Sequence, residues 1–328
     1  MAIENATVKK FIVPDKFKPV LGATGFYIIM MAVFIYFATS VFLNIGMFTA
    51  VFLSLPLYII MGLALVFVTV SGEIDLSFPS ILALTGLIFS LTLKATDFNF
   101  WLAFLASLLV GIACGLFNGF LVTKLGFSSL ITTLGVNFMF AGITQVLNQG
   151  EVRQFPEFDE SPIRAAVVGR WGPIPAQLLW GLAIALILGL IFNRHRFGIH
   201  VHIAGDNPEA GRAMGVNVSR VKVYCFVLVG ICCSITSTIS ILINSTYYST
   251  MGEGYLLPVL AAVFVGGTPV TGGKGTIAGL VIGATTVVFI NTGVIAVGLD
   301  GYFTGLGFGL VIILSLLGHR ALSGRLSR

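Results

Sequence analysis

The chain is a succession of apolar segments, most of them about 18–25 residues long, separated by short charged turns. A helix of that length crosses the hydrocarbon core of a bilayer, and few other environments accept so many such segments in one chain. The ten expected spans are 21–43, 48–71, 78–94, 99–123, 128–148, 176–193, 223–243, 256–271, 276–298 and 303–318. Only 9% of the 328 residues are charged, too few to cover a soluble protein of this size. Alternating short strands of the barrel type are absent from the pattern. The fold class is therefore an all-α integral membrane protein, with some helices broken or re-entrant. The segment 256–271 is the candidate break: it is short, holds Pro258 and Pro269, and runs into a glycine-rich stretch, so it either spans or re-enters.

Charge gives the orientation. Of the 18 Lys and Arg residues, only Lys94, Arg153, Arg164 and Arg170 fall on the side opposite the N-terminus. Asp97, Glu151, Glu157, Asp159, Glu160, Glu253 and Asp300 fall on that same opposite side. The positive-inside rule then places both termini and the loop 194–222 in the cytoplasm. The expected organisation is a cytoplasmic segment 1–20, one transmembrane domain 21–318 with an external loop 149–175, and a cytoplasmic tail 319–328. The net charge of +5 reflects this topology and is no nucleic-acid footprint. Residues 1–20 lack the pattern of a cleavable signal. Cys114, Cys225, Cys232 and Cys233 all lie within apolar spans and read as packing residues.

The loop 194–222 carries a compact helix signal. Asp206 or Asn207 serves as N-cap, Pro208 stands at the first helical position, Glu209 suits the positive helix end, and Gly215 closes the helix. About two turns, Pro208 to Met214, are expected. Such a helix is either a docking knob for a soluble partner or a capped connection. The docking reading places Asp206, Asn207, Pro208, Glu209, Ala210, Gly211, Arg212, Met214 and Gly215 on the contact surface.

Ser71-Gly72-Glu73-Ile74-Asp75-Leu76-Ser77 puts two carboxylates between apolar spans. Each would cost about 2.5–3.5 kcal/mol at a bilayer centre, so each needs a cavity, a partner or the interface. Either this break lines a transport path, or Asp75 caps the helix starting near Leu76 while Glu73 sits among cytoplasmic headgroups. Asn118, Asn137, Gln145 and Asn291, with Thr132, Thr133, Thr285 and Thr286, are intramembrane hydrogen-bonding groups. They suit a path for a neutral polyhydroxylated solute, or they join helices at about 0.6–2 kcal/mol each. Glu73, Asp75, Asn118, Asn137 and Asn291 are the candidate path residues. No catalytic set and no metal site can be assembled. His195, His200 and His202 cluster without a third ligand beside the closely spaced pair. Gly272-Gly273-Lys274-Gly275-Thr276 fails the phosphate-loop pattern at both ends. Leu63-Ala-Leu-Val-Phe-Val68 echoes Leu260-Ala-Ala-Val-Phe-Val265, by internal duplication or by chance.

Four stretches taken in order resemble the permease subunits of ribose-type ABC importers. They are Ser71–Ser77; Asn118-Gly-Phe-Leu-Val-Thr-Lys124 with Leu130-Ile-Thr-Thr-Leu-Gly135; Gly205-Asp-Asn-Pro-Glu-Ala-Gly-Arg-Ala-Met-Gly-Val-Asn217; and Ala261-Ala-Val-Phe-Val-Gly-Gly-Thr268 with Gly272-Gly-Lys-Gly-Thr276. The resemblance runs from about Phe42 to Leu317. It implies a bacterial inner-membrane translocator for a monosaccharide, polyol or similar neutral solute. Its partners would be a second permease (homodimer or heterodimer), a cytoplasmic ATPase carrying the ATP and Mg, and an extracytoplasmic solute-binding protein. No cofactor would sit on this chain. Asp206, Glu209, Ala210, Gly211 and Gly215 match the segment that contacts the ATPase. Two features depart from the family's habit: Glu73 and Phe78-Pro79 stand where a glycine and a small residue followed by glycine are usual, and Gly211 where alanine is. The competing function is an ion-coupled secondary transporter, for which only Glu73 and Asp75 could serve as coupling charges.

Overall fold

A computed structural model describes residues 18–322. The expected stretches 1–20 and 319–328 lie largely outside that range. The chain is a helical bundle of α1 (Lys18–Phe37), α2 (Thr39–Phe42), α3 (Ile45–Val70), α4 (Phe78–Ala95), α5 (Phe100–Thr123), α6 (Ser129–Asn148), α7 (Pro162–Val168), α8 (Ala176–Arg194), α9 (Arg196–Asp206), α10 (Pro208–Ala213), α11 (Val218–Asn244), α12 (Leu256–Val265), α13 (Ile277–Ala296) and α14 (Tyr302–Leu322). Among the described residues eight helices are long and apolar enough to cross a membrane. The shorter apolar stretches Glu253–Val265 and Tyr302–Leu314 stand where the other two spans were expected. The chain is an all-α multi-pass membrane protein.

α3 and α11 form the centre, and α3 is buried almost throughout its second half. α11 packs most extensively on α5, and the reason is steric. A Cβ on Gly111 would come within 2.3 Å of the Gly230 carbonyl oxygen, and one on Gly230 within 1.9 Å of the Gly111 oxygen. The two backbones touch, as small residues allow in a solvent where lipid tails compete with every apolar contact. Ser234 Oγ donates to the Ser107 carbonyl at 3.0 Å one turn further on. The contact also sets the depth scale, because both glycines lie at the middle of their helices.

The loop 149–175 is an ordered cap at one end of the bundle. It holds α7 and three short strands, β1 (Arg153–Gln154), β2 (Arg170–Trp171) and β3 (Ile174–Pro175). β1 pairs antiparallel with β4 (Thr246–Tyr247), just after α11. Helix α12 settles the segment 256–271. Its ten residues span only about 15 Å, half the hydrocarbon core. The span is broken, with its glycine-rich remainder packed at the opposite, basic end.

The hexapeptide echo falls at the ends of α3 and α12, which are closed alike: Gly72 and Gly267 both have φ +86°. Leu63 precedes Gly72 by nine residues and Leu260 precedes Gly267 by seven, so the two hexapeptides are out of step with the shared cap.

Gly230→Leu should abolish close α5–α11 packing, since overfilling costs about 1–3 kcal/mol even where neighbours can shift, and backbone cannot. Gly142→Leu, at a position with nothing within 4 Å, should be tolerated. Thermal unfolding of the two variants in detergent tests the difference.

Candidate functional site

Residues 71–77 leave the helix, and Ser71, Asp75 and Ser77 are buried in the bundle, so the backbone here needs partners inside the protein. The first two follow from the α3 cap: Gly72 N donates to the Thr69 carbonyl and Glu73 N to the Val68 carbonyl. Helix α6 supplies the next two. Ile74 N donates to Ser129 Oγ at 3.1 Å and Leu76 N to Thr133 Oγ1 at 3.0 Å. Asp75 holds Ser77: its Oδ1 accepts from the Ser77 amide at 2.7 Å and the Ser77 hydroxyl at 2.6 Å. Asn118 Nδ2, on α5, donates to Ser77 Oγ at 2.7 Å.

Asp75, Ser77 and Asn118 are all fully buried. Asp75 is not the α4 cap that the capping reading expected: the helix begins at Phe78 rather than near Leu76, its N-cap is Ser77, and Asp75 instead folds the turn before it through Ser77. Asn118 and Thr133 tie separate elements together. Thr285 and Thr286 each donate to a carbonyl one turn back in α13. Asn291, also on α13, is half-buried. Asn137 is half-buried on α6, while Gln145 on the same helix is exposed.

Glu73 is largely buried rather than exposed. Its Oε1 accepts from Lys222 Nζ at 2.5 Å, and the two side chains are only 14% and 18% exposed. Lys222 lies in the second turn of α11. Spacing could not reveal this pair, because 149 residues separate the partners. It gives Glu73 the buried partner that a carboxylate at this depth requires.

The break, the 194–222 loop and the glycine-rich stretch converge at the basic end. Gly273 N donates to the Val70 carbonyl at 2.8 Å, and His202 Nδ1 bonds to the Gly273 carbonyl at 3.0 Å. A Cβ on Gly205 would meet the Val70 oxygen at 1.8 Å, and one on Gly272 the Gly72 Cα at 2.8 Å. Three chain segments thus touch backbone to backbone, which only glycine permits. The loop itself is more ordered than the sequence indicated. Helix α9 carries no usual cap signal in the sequence: its N-cap is His195, whose Nδ1 accepts from Phe197 N in place of a Ser, Thr, Asp or Asn oxygen. Asp206 ends α9, and Asn207 is the α10 cap, its Oδ1 accepting from Ala210 N at 3.0 Å. Gly215, with φ +83°, follows the short helix as expected. Glu209, Ala210, Arg212 and Met214 face outward, while Gly211 is buried.

A polar break stapled from within, glycine contacts between long spans and a capped helix projecting from the basic end define a multi-pass transport protein. The sequence matches the family described as branched-chain amino acid transport system / permease component over residues 47–316. The chain belongs to that family of permeases, which in ABC importers work with an ATPase and a solute-binding protein, and it is a transport component rather than an enzyme. It is 31% identical to the ribose import permease protein RbsC of Escherichia coli K12, over 79% of this chain and 80% of that one. It is 29% identical to the D-allose transport system permease protein AlsC of the same strain, over 90% of each chain. It is 27% identical to the xylose/arabinose import permease protein XylH of Sulfolobus acidocaldarius, over 89% of this chain and 83% of that one. No solved structure matches.

Glu73→Lys should destabilise the bundle by about 3 kcal/mol, since it sets two cations together in a largely buried place. The double exchange Glu73→Lys with Lys222→Glu should recover most of that loss. Unfolding temperatures of the single and double variants check the coupling.

Proposed function

We propose that this chain is the membrane permease of a sugar importer in the bacterial inner membrane. Its solute is a monosaccharide, polyol or similarly neutral polar molecule handed over by an extracytoplasmic binding protein. Two permeases enclose the path, and ATP with Mg is consumed on a cytoplasmic ATPase that docks at the basic end. The observation that carries the solute class is the agreement of relatives named for ribose, D-allose and xylose/arabinose, each matched over most of its length. Glu73 is held in its ion pair with Lys222, and Asp75 binds Ser77 through one carboxylate oxygen.

The docking surface is the outward side of α10, with Glu209, Ala210, Arg212 and Met214, bordered by Asp206, Asn207, Pro208 and Gly215. Met214 is 66% exposed, an apolar side chain on a polar knob, as a buried anchor of a contact would be before its partner arrives. From α10 the short link 214–217 enters α11, whose Lys222 holds the break through Glu73. Movement of α10 therefore acts on the 71–77 segment through one turn and one ion pair.

The importer is tested by co-expressing the chain with its neighbouring ATPase and binding-protein genes and measuring hydrolysis in lipid. Loaded binding protein should stimulate hydrolysis. Glu209→Lys should insert normally yet cut stimulated hydrolysis and uptake about tenfold, the effect of one reversed charge at an interface. Unchanged uptake in that variant would remove α10 from the docking surface.

A further inference from the structure

Two interrupted spans meet inside the bundle. The break 71–77 rises from the basic end, and the segment 245–255 descends from the opposite end. Cys233 Sγ donates to the Phe78 carbonyl, so α4 begins beside Cys233. That residue lies about 16 Å along α11 from Asn244, near the helix middle. A Cβ on Gly252 would be 1.9 Å from the Pro79 oxygen, so the descending segment reaches the same depth. The rings of Tyr255 and Tyr58 lie 5.2 Å apart, and Tyr58 is at the middle of α3. Glu253, expected on the outer surface, therefore stands about half-way through the bundle, in the 3-10 turn Glu253–Tyr255 that precedes α12.

Glu253 is exposed there, as are Thr250 and Gly254, and Tyr248 is 43% exposed. A carboxylate at this depth facing lipid carries the insertion cost noted above, so such groups face water-filled cavities or partners. Behind them lies a hydroxyl-rich wall. Tyr255 packs edge-on against Tyr58, and Ser240 is buried on α11. Non-helical backbone at membrane depth is tolerated where it lines a cavity, and discontinuous helices place transported solutes near the bilayer middle.

We propose that the exposed edge of 248–254 is a solute-contact site on the path, with Glu253 and Tyr248 as its contacts. The ligand is a neutral molecule with adjacent hydroxyls. The two oxygens of Glu253 accept from neighbouring hydroxyls, Tyr248 offers a ring face and a hydroxyl, and Thr250 adds one more hydrogen-bonding group. This site rests on the importer reading, but its location is tested separately.

Glu253→Cys, Tyr248→Cys and, as a lipid-facing control, Leu186→Cys on α8 (65% exposed) are introduced singly into the full complex of permease, ATPase and binding protein. The four native cysteines are buried and form a quiet background. The impermeant thiol reagent 2-sulfonatoethyl methanethiosulfonate is applied from the binding-protein side. A thiol in water ionises and reacts, and one in lipid does not. Both path variants should label roughly tenfold faster than the control. Labelling should slow when binding protein is loaded with whichever of D-ribose, D-allose and D-xylose the wild-type complex accumulates. Glu253→Gln should lower uptake of that sugar about tenfold while stimulated hydrolysis persists. Labelling at the control's rate, or uptake by Glu253→Gln equal to wild type, would overturn the site. A wild-type complex whose hydrolysis ignores loaded binding protein, or that accumulates none of the three sugars, would instead count against the sugar-importer reading, whatever the labelling shows.

Discussion

A backbone that leaves the helix inside a membrane has no water to turn to, and the structure depends on how the 71–77 segment meets that constraint. Each donor described above is satisfied from a different place: the end of α3, the first turns of α6, and Asp75. The side chains involved are small and uncharged except for Asp75, whose charge is placed where α4 begins and its amide dipoles start. Losing Asp75 would leave the Ser77 amide and hydroxyl buried without their acceptor, a cost of about 1–3 kcal/mol for each. The break is thus held open by hydrogen bonds that only a folded bundle supplies, which makes it a part of the fold as much as of the path.

The second constraint is closeness. α5 and α11 touch at Gly111 and Gly230, and at the basic end Gly72, Gly205, Gly272 and Gly273 bring three chain segments into backbone contact. Contacts of this kind are stiff, since no side chain lies between the strands of chain to absorb a displacement. They join the end of α3, the end of α9 and the loop before α13 into one unit. The ion pair of Glu73 with Lys222 joins α11 to the same unit. A partner that moves α9 and α10 therefore moves the foot of every central span together.

The fold was largely legible because lipid imposes a simple code. Apolar length located the spans to within a few residues, and cap chemistry located α10 at Asn207 and Pro208. The break at 256–271 was visible in its prolines and glycines. Long-range pairing was not legible. Nothing near Glu73 in the chain names Lys222, and nothing near Asn118 names Ser77. Depth was the other failure: Glu253 sits in a polar run after a span, the usual mark of an external loop, and only its contacts with Pro79 and Tyr58 through Gly252 and Tyr255 carry it inward. The polar composition of 244–255 was the available signal, since an ordinary external turn has no need of three tyrosines and a glutamate beside two glycines.

The central claim is that the basic end, through α10, receives the ATPase. A photo-reactive benzophenone side chain at Met214 measures this directly in the assembled complex within its native membrane. The account predicts a cross-link to the ATPase subunit from Met214 and none from Leu186 on the lipid-facing side of α8. A complex that hydrolyses ATP normally yet yields no ATPase adduct from Met214 would contradict it.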